Sequence, residues 1–221
     1  VAVHDAVVVV DGDRIVAAGP AASVAIPANA QRIRLDGKWL IPGLINTHVH
    51  LGLRLPGATG AALADETPVQ RAFRMAENAR LSLESGVTTV RLVGEEDGVD
   101  FALKRAINAA RVSGPRIETA GEIIVPTGGH GMREVDGIAG FSQAIREQIR
   151  DGATWIKIAI SGGLADSHGD VASTPMLPEV LKASIDVAHR NGTRITAHNG
   201  SAAAADSAID AGIDGFEHGY H

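Results

Sequence analysis

The sequence predicts an α/β fold: a parallel (β/α) barrel of about six units over residues 41–221, preceded by a small β-layer over residues 1–40. Three observations predict it. From about residue 41 the pattern strand, loop, helix repeats with the rhythm that makes parallel strands joined by crossover helices. Polar residues of catalytic type close nearly every strand, as expected where a barrel gathers its chemistry at the C-terminal strand ends. No G-x-G-x-x-G turn follows the first strand, which weighs against an open doubly wound sheet.

Ala6 to Val10 is apolar and β-branched, Asp11-Gly12-Asp13 is turn chemistry, and Arg14 to Ala18 returns as a second strand before Gly19-Pro20 breaks it. Arg32 to Leu35 alternates polar and apolar, predicting a half-exposed strand. The apolar run from Leu40 closes in His48-Val49-His50. A helix opens at Thr67-Pro68-Val69-Gln70, with Thr67 as cap, Pro68 at the first helical position and Gln70 completing a capping box. It stops at Gly86, ahead of the strand Val87 to Val93. Val99 to Ser113 is predicted helical and Arg116 to Val125 a strand; a helix from about Ser142 to Arg150 leads to the strand Thr154 to Ile160. Pro178 opens a helix ending at Asn191-Gly192, before the strand Arg194 to His198. The Ala-rich segment Ser201 to Ala211 leads to the strand Gly215 to His218.

Composition narrows the function. The 221 residues carry a net charge of -6, so there is no basic footprint for nucleic acid or for an anionic membrane surface. Aromatics are only 3%, too few for stacking platforms. No apolar run approaches the roughly 20 residues of a membrane helix. With no cysteine, a metal would fall to histidine, carboxylate or a modified lysine. A cysteine-free chain suits either redox environment, and a cytoplasmic location is the expectation. The chain begins with Val1 inside strand-like sequence, so its start is expected to be incomplete.

The chemistry lies at the strand ends. Side chains two apart on a strand point the same way, so His48 and His50 aim two imidazoles in one direction. In Trp155-Ile156-Lys157-Ile158-Ala159-Ile160 the isoleucines share one face and Lys157 the other, which in a barrel points inward. A lone buried ammonium is expensive, so Lys157 must be paired with a carboxylate, deprotonated, or carboxylated by carbon dioxide into an oxygen ligand. His198 and His218 each end one of the next two strands. His130, in Thr127-Gly128-Gly129-His130-Gly131, sits in a loop of the kind that forms a barrel mouth, where a substrate contact and an ordinary loop residue are both open readings. Tyr220, the sole tyrosine, either donates to a developing oxyanion or anchors its loop. His4, His168 and His189 read as ordinary, and His221 is uninterpretable at the terminus.

The motifs, in this order, resemble the amidohydrolase superfamily, and most closely its imidazolonepropionase-like and Xaa-Pro dipeptidase-like branch. The residues that carry the resemblance are Leu40-Ile41-Pro42-Gly43-Leu44-Ile45-Asn46-Thr47-His48-Val49-His50-Leu51, Gly86-Val87-Thr88-Thr89-Val90-Arg91, Thr127-Gly128-Gly129-His130-Gly131, Ile156-Lys157-Ile158 with Ser161-Gly162-Gly163, Ala188-His189-Arg190-Asn191-Gly192, Ala197-His198 and Glu217-His218-Gly219. The resemblance implies a (β/α)8 TIM-type barrel, with residues 1–40 forming part of an N-terminal β-sandwich. It implies two divalent ions, expected to be zinc. His48 and His50 would hold one, His198 and His218 the other, and the carbamate formed by Lys157 with carbon dioxide would bridge them. It further implies hydrolysis of an amide bond in a dipeptide or N-acyl amino acid by a hydroxide bridging the ions, with Lys157, His130 and Tyr220 as catalytic residues. A cyclic amide or lactone is the alternative substrate, and a non-catalytic binding protein on the same fold the alternative role. A homo-oligomer is expected, and no nucleic-acid or membrane partner.

Three departures stand out. Leu92 occupies a position where the branch commonly has aspartate, and Asn199-Gly200 follows Ala197-His198 where another Ala-His is common. The resemblance also ends after the sixth strand, before strands seven and eight and the aspartate that closes the eighth. The chain is therefore expected to be a segment of a longer polypeptide, or one chain of a two-chain enzyme, inactive alone.

Overall fold

The computed structural model describes residues 2–54, 57–163 and 170–219. They fall into two compact units, residues 1–42 and 43–221.

In the first unit β1 (Ala6–Asp11) pairs antiparallel with β2 (Arg14–Pro20), Val8 opposite Ala18. Gly12 turns the hairpin with φ of 59°, a left-handed conformation that glycine enters without Cβ strain. The strand expected at Arg32 to Leu35 does not form. Arg34 instead bonds Asp36 locally, at 3.0 and 3.2 Å. Alternation alone makes no strand where no neighbour supplies a ladder for its backbone groups.

The second unit holds β3 (Leu44–Val49), α1 (Ala58–Ala61), α2 (Pro68–Glu84), β4 (Val87–Leu92), α3 (Val99–Asn108), β5 (Arg116–Thr119), β6 (Ile124–Val125), β7 (Arg133–Glu134), α4 (Gly137–Asp151), β8 (Trp155–Ala159), α5 (Pro178–Arg190), β9 (Arg194–Asn199), α6 (Ala202–Ala211) and β10 (Gly215–His218). Every strand pairing in this unit is parallel, in the orders β3-β4-β5 and β10-β9-β8-β6-β7. This is the α/β architecture expected, with six barrel positions among the described residues.

Three boundaries depart from expectation. α3 stops at Asn108, five residues short of Ser113. Ala110 turns left-handed at φ 54°, and the Arg111 N–H closes back on the Ala106 carbonyl, which seals the helix end. α4 starts at Gly137, before Ser142. The strand expected over 116–125 is split: Gly121, at φ 69°, bends the chain between β5 and β6. β5 stays paired to β4 while β6 joins β8, so this third barrel position passes the backbone from one sheet to the other. Gly121 has no room for a side chain, because a Cβ there would lie 1.9 Å from Gln148 Oε1.

α2 forms where its cap predicts: the Thr67 hydroxyl accepts from the Gln70 N–H, and the Gln70 side chain accepts from the Thr67 N–H. On β8 the face Ile156, Ile158 and Ile160 is buried against Phe141, Ile145 and Ile185 of α4 and α5. Each such side chain contributes roughly 1.5–3 kcal/mol of burial. That face commits the opposite one, bearing Lys157, to the barrel interior. A second cluster packs Met75, Ala79, Val90, Leu92, Leu103 and Ile117 under α2 and α3. Leu92 is fully buried there and takes a packing role where an aspartate was noted as common.

Candidate metal centre

Four histidines from three strand ends meet ring to ring. His50 lies 5.2 Å from His48 between ring centroids, His48 lies 4.7 Å from His218, and His218 lies 4.7 Å from His198. His130, from the loop between β6 and β7, packs 4.4 Å from His198. The register explains the meeting. Ala159 pairs with His198, and Glu217 with His198, so β8, β9 and β10 end level. His218 sits at φ 71°, a left-handed backbone uncommon for a side-chain-bearing residue and of the kind that gathers at functional sites.

The strand end that carries His48 and His50 is clamped from below. Glu95, buried after β4, accepts the Leu51 and Gly52 N–H groups, the latter at 2.9 Å. Two glycines give the rings space. A Cβ on Gly163 would lie 2.4 Å from the His130 ring, and one on Gly94 would lie 3.1 Å from His50 Cε1.

Three of the imidazoles have one nitrogen engaged and the other left over. His48 Nδ1–H donates to Glu217 Oε2 at 2.7 Å, His50 Nδ1–H to the Gly94 carbonyl at 2.7 Å, and His198 Nε2–H to the Gly162 carbonyl at 3.0 Å. Carbonyl and carboxylate oxygens accept, so in the neutral form of each ring these bonds place the proton on the bonded nitrogen and leave the other nitrogen bare. Histidines that ligate metals carry this arrangement.

The electrostatics favour the unprotonated rings. Burial, then the neighbouring His130 and Lys157, pushes His198 down to about 3. Burial, then His48 and Lys157, pushes His218 down to about 4. Burial lowers His50 as well. Lys157 is 1% exposed, and burial lowers its amine to about 7 against the opposing pull of Glu217. Burial opposes ionisation of Glu217, but the His48 bond, Lys157, Thr196 and Arg91 outweigh it and hold the carboxyl at about 2.

A crowd of neutral imidazoles around a half-neutral amine and one carboxylate is an electron-rich cavity that fits divalent cations, and its nitrogen donors suit zinc among them. Among the described residues no three His, Asp or Glu side chains close on a single point tightly enough to enclose an ion as they stand. The donors converge without being collapsed around a centre.

The structure therefore brings His48, His50, Lys157, His198 and His218 together, with His130 at the edge of the group. Tyr220, His168 and His221 lie outside the described residues. His189 is set apart, bonded to Asp214 at 2.8 Å, and His4 packs against Trp39. Sequence reasoning assigned no role to Glu217, Arg91, Thr196 or Glu95. A signal was available for two of them. Arg91 and Glu217 are opposite charges inside barrel strands, and such charges, once buried, must pair.

Comparison with known proteins agrees with the fold. The family model described as Amidohydrolase family matches residues 39–221. An uncharacterized protein of Mycobacterium tuberculosis, Rv2915c, is 35% identical over 185 residues, 83% of this chain and 45% of that protein. Imidazolonepropionase of Caulobacter vibrioides is 30% identical over 224 residues, 89% of this chain and 54% of that one. A prolidase crystallised with N-methylphosphonate-L-proline superposes with a TM-score of 0.85 at 35% identity, covering 96% of this chain and 55% of that one. The chain spans about half the length of the curated relatives it matches.

Proposed function

The chain belongs to the amidohydrolase family, and from that premise we propose that it serves metal-dependent hydrolysis of an amide bond in a dipeptide or N-acyl amino acid. The observation that carries this reading is the set of rings packed together at the strand ends, three of which hold one nitrogen on a fixed acceptor. His48 and His50 would hold one divalent ion and His198 and His218 a second, with Lys157 between them. Bound there, such ions supply Lewis-acid activation of water and of the scissile carbonyl.

The chain's own residues do the rest. Lys157, with its amine near 7, is about half unprotonated at neutral pH and largely so above about pH 8. Its nitrogen can add to carbon dioxide, forming an N–C bond and releasing one proton, and the product is an anionic oxygen donor. His130, packed at a tilt against His198, is proposed to donate a hydrogen bond to a substrate carbonyl. Tyr220 is proposed for the same task from just beyond β10. Ile123, Val125 and Ala159 form a buried apolar cluster, Val125 and Ala159 at the ends of β6 and β8. The prolidase neighbour, crystallised with a proline-bearing ligand, supports a peptide-like substrate.

A second reading, hydrolysis of a cyclic amide or lactone, is favoured by the imidazolonepropionase relative. One experiment separates the readings. The protein, purified together with any sequence that flanks this chain, is analysed for metal, then assayed against dipeptides including Xaa-Pro, N-acyl amino acids, cyclic amides and lactones, with and without chelator. About two zinc-like ions per chain and chelator-sensitive cleavage of linear amides support the proposal. Turnover confined to cyclic substrates moves it to the second reading, and a chain that takes up no metal points to a binding protein instead.

A further inference from the structure

We propose that Glu217, held by Arg91, is a positioning residue: its carboxylate locks His48 in the Nδ1–H tautomer and so presents Nε2 of that ring to a divalent cation. This rests on the metal-centre reading above and adds to it a pair of residues that are not ligands.

The geometry carries the inference. Glu217 is 4% exposed and sits on β10, while His48 sits on β3, and no ladder joins those two strands among the described residues. The Glu217 carboxylate crosses the interior between them. Its Oε2 accepts from His48 Nδ1 at 2.7 Å, and its Oε1 accepts from Thr196 Oγ1 at 2.8 Å and from Arg91 Nη2 at 2.5 Å. A carboxylate offers about four lone-pair sites. Three are filled here, so the group is built to orient its neighbours and has little left for a metal.

Arg91 adds a second constraint. Its Nε donates to the carbonyl of Thr47 at 2.8 Å, the residue just before His48. One guanidinium thus holds both the backbone ahead of the histidine and the acid that holds the ring. Only a rigid fork does both at once, which a lysine ammonium cannot reproduce. Trp155 covers the guanidinium at 4.5 Å, and the side chain of Arg91 is otherwise mostly buried, so water does not compete for the fork. A ring without such a partner would exchange between tautomers, and half of those would turn a proton toward the cation site.

The test uses the whole chain, stripped of metal by chelator, and 15N-labelled at histidine. Two-bond 1H–15N spectra report which nitrogen of His48 carries the proton, with its signals assigned by their loss in His48→Gln. Zinc affinity is measured in parallel by competition with a chromophoric chelator. The expected result is a single Nδ1–H form in the native chain. Glu217→Gln keeps the shape but must turn its amide NH2 toward either Arg91 or His48, so the tautomer preference is lost and zinc affinity falls about 10–100-fold. Arg91→Lys keeps the charge and gives an intermediate loss, and it serves where Glu217→Gln fails to fold. An Nε2–H form of His48 in the native chain would overturn the proposal, as would unchanged zinc affinity in Arg91→Lys or Glu217→Gln. If the native chain shows the Nδ1–H form but takes up no zinc, the metal-centre reading fails while the positioning of His48 stands.

Discussion

Replacing Lys157 by Met tests the account of the interior directly. The side chain is 1% exposed, and burial holds its amine at about 7 where an unfolded lysine titrates near 10.5. At about 1.36 kcal/mol per pH unit, that gap of about 3.5 corresponds to roughly 5 kcal/mol of cost to folding while the amine stays charged in both states. The sign follows from proton counting. Below pH 7 both states bind the proton and the full cost is present. Between 7 and 10.5 the unfolded chain keeps a proton that the folded chain has released, so stability rises with pH. From pH 7 to pH 9 the rise is about 2 kcal/mol. Met removes the charge at similar length and volume, so Lys157→Met is expected to be more stable than the native chain at pH 7. The stability gap should narrow by about 2 kcal/mol at pH 9. Urea midpoints of both chains, metal-free and purged of carbon dioxide, give the comparison, and taking the difference between them cancels the titrating groups that do not feel Lys157. A variant that is less stable at pH 7, or a gap that does not change with pH, would show that Lys157 is paired in the folded chain and would refute the reasoning.

Three further outcomes follow from the same structure. Glu95→Gln leaves the clamp on Leu51 and Gly52 with one acceptor for two N–H groups and is expected to cost about 1–3 kcal/mol in denaturant midpoint. Burial raises the Glu95 carboxyl to about 8, so its favourable contribution is complete below about pH 4.5 and drains away as pH rises toward 8; the variant should lack that slope. Ile158→Ala opens a cavity under α4 and α5 and is expected to cost about 2–5 kcal/mol by calorimetry or urea titration, whereas a loss below about 1 kcal/mol would contradict the packing described. Gly163→Ala drives a methyl group into the His130 ring, and should displace that ring and lower kcat/KM about tenfold or more on an amide substrate while the urea midpoint shifts by less than about 1 kcal/mol. Unchanged kcat/KM in a folded Gly163→Ala chain would remove His130 from the substrate contacts.

The elements that were legible in the sequence are those whose signal is local. Thr67, Pro68 and Gln70 mark a helix start through bonds made within four residues, and α2 begins there. The isoleucines of β8 declare a buried face by period two, which sends Lys157 the other way. The hairpin of β1 and β2 needs only its turn. The failures are those whose cause lies elsewhere in the chain. Arg32 to Leu35 has strand-like alternation but no neighbour, α3 ends at a left-handed Ala110 that composition does not announce, and the bend at Gly121 answers to the Gln148 side chain from α4.

By itself the sequence determined the parallel α/β architecture and which residue types end each strand, because side-chain period and capping chemistry act over a few residues. Only the tertiary structure decided that Glu217 reaches across the interior to His48, that Arg91 and Thr196 fill the remaining oxygens of that carboxylate, and that Glu95 clamps the strand end beneath the two histidines. Those bonds join residues up to 169 positions apart. Nothing in local sequence can encode them, since each arises from the need of a buried polar group for a partner and is met by whichever group the neighbouring strands place within reach.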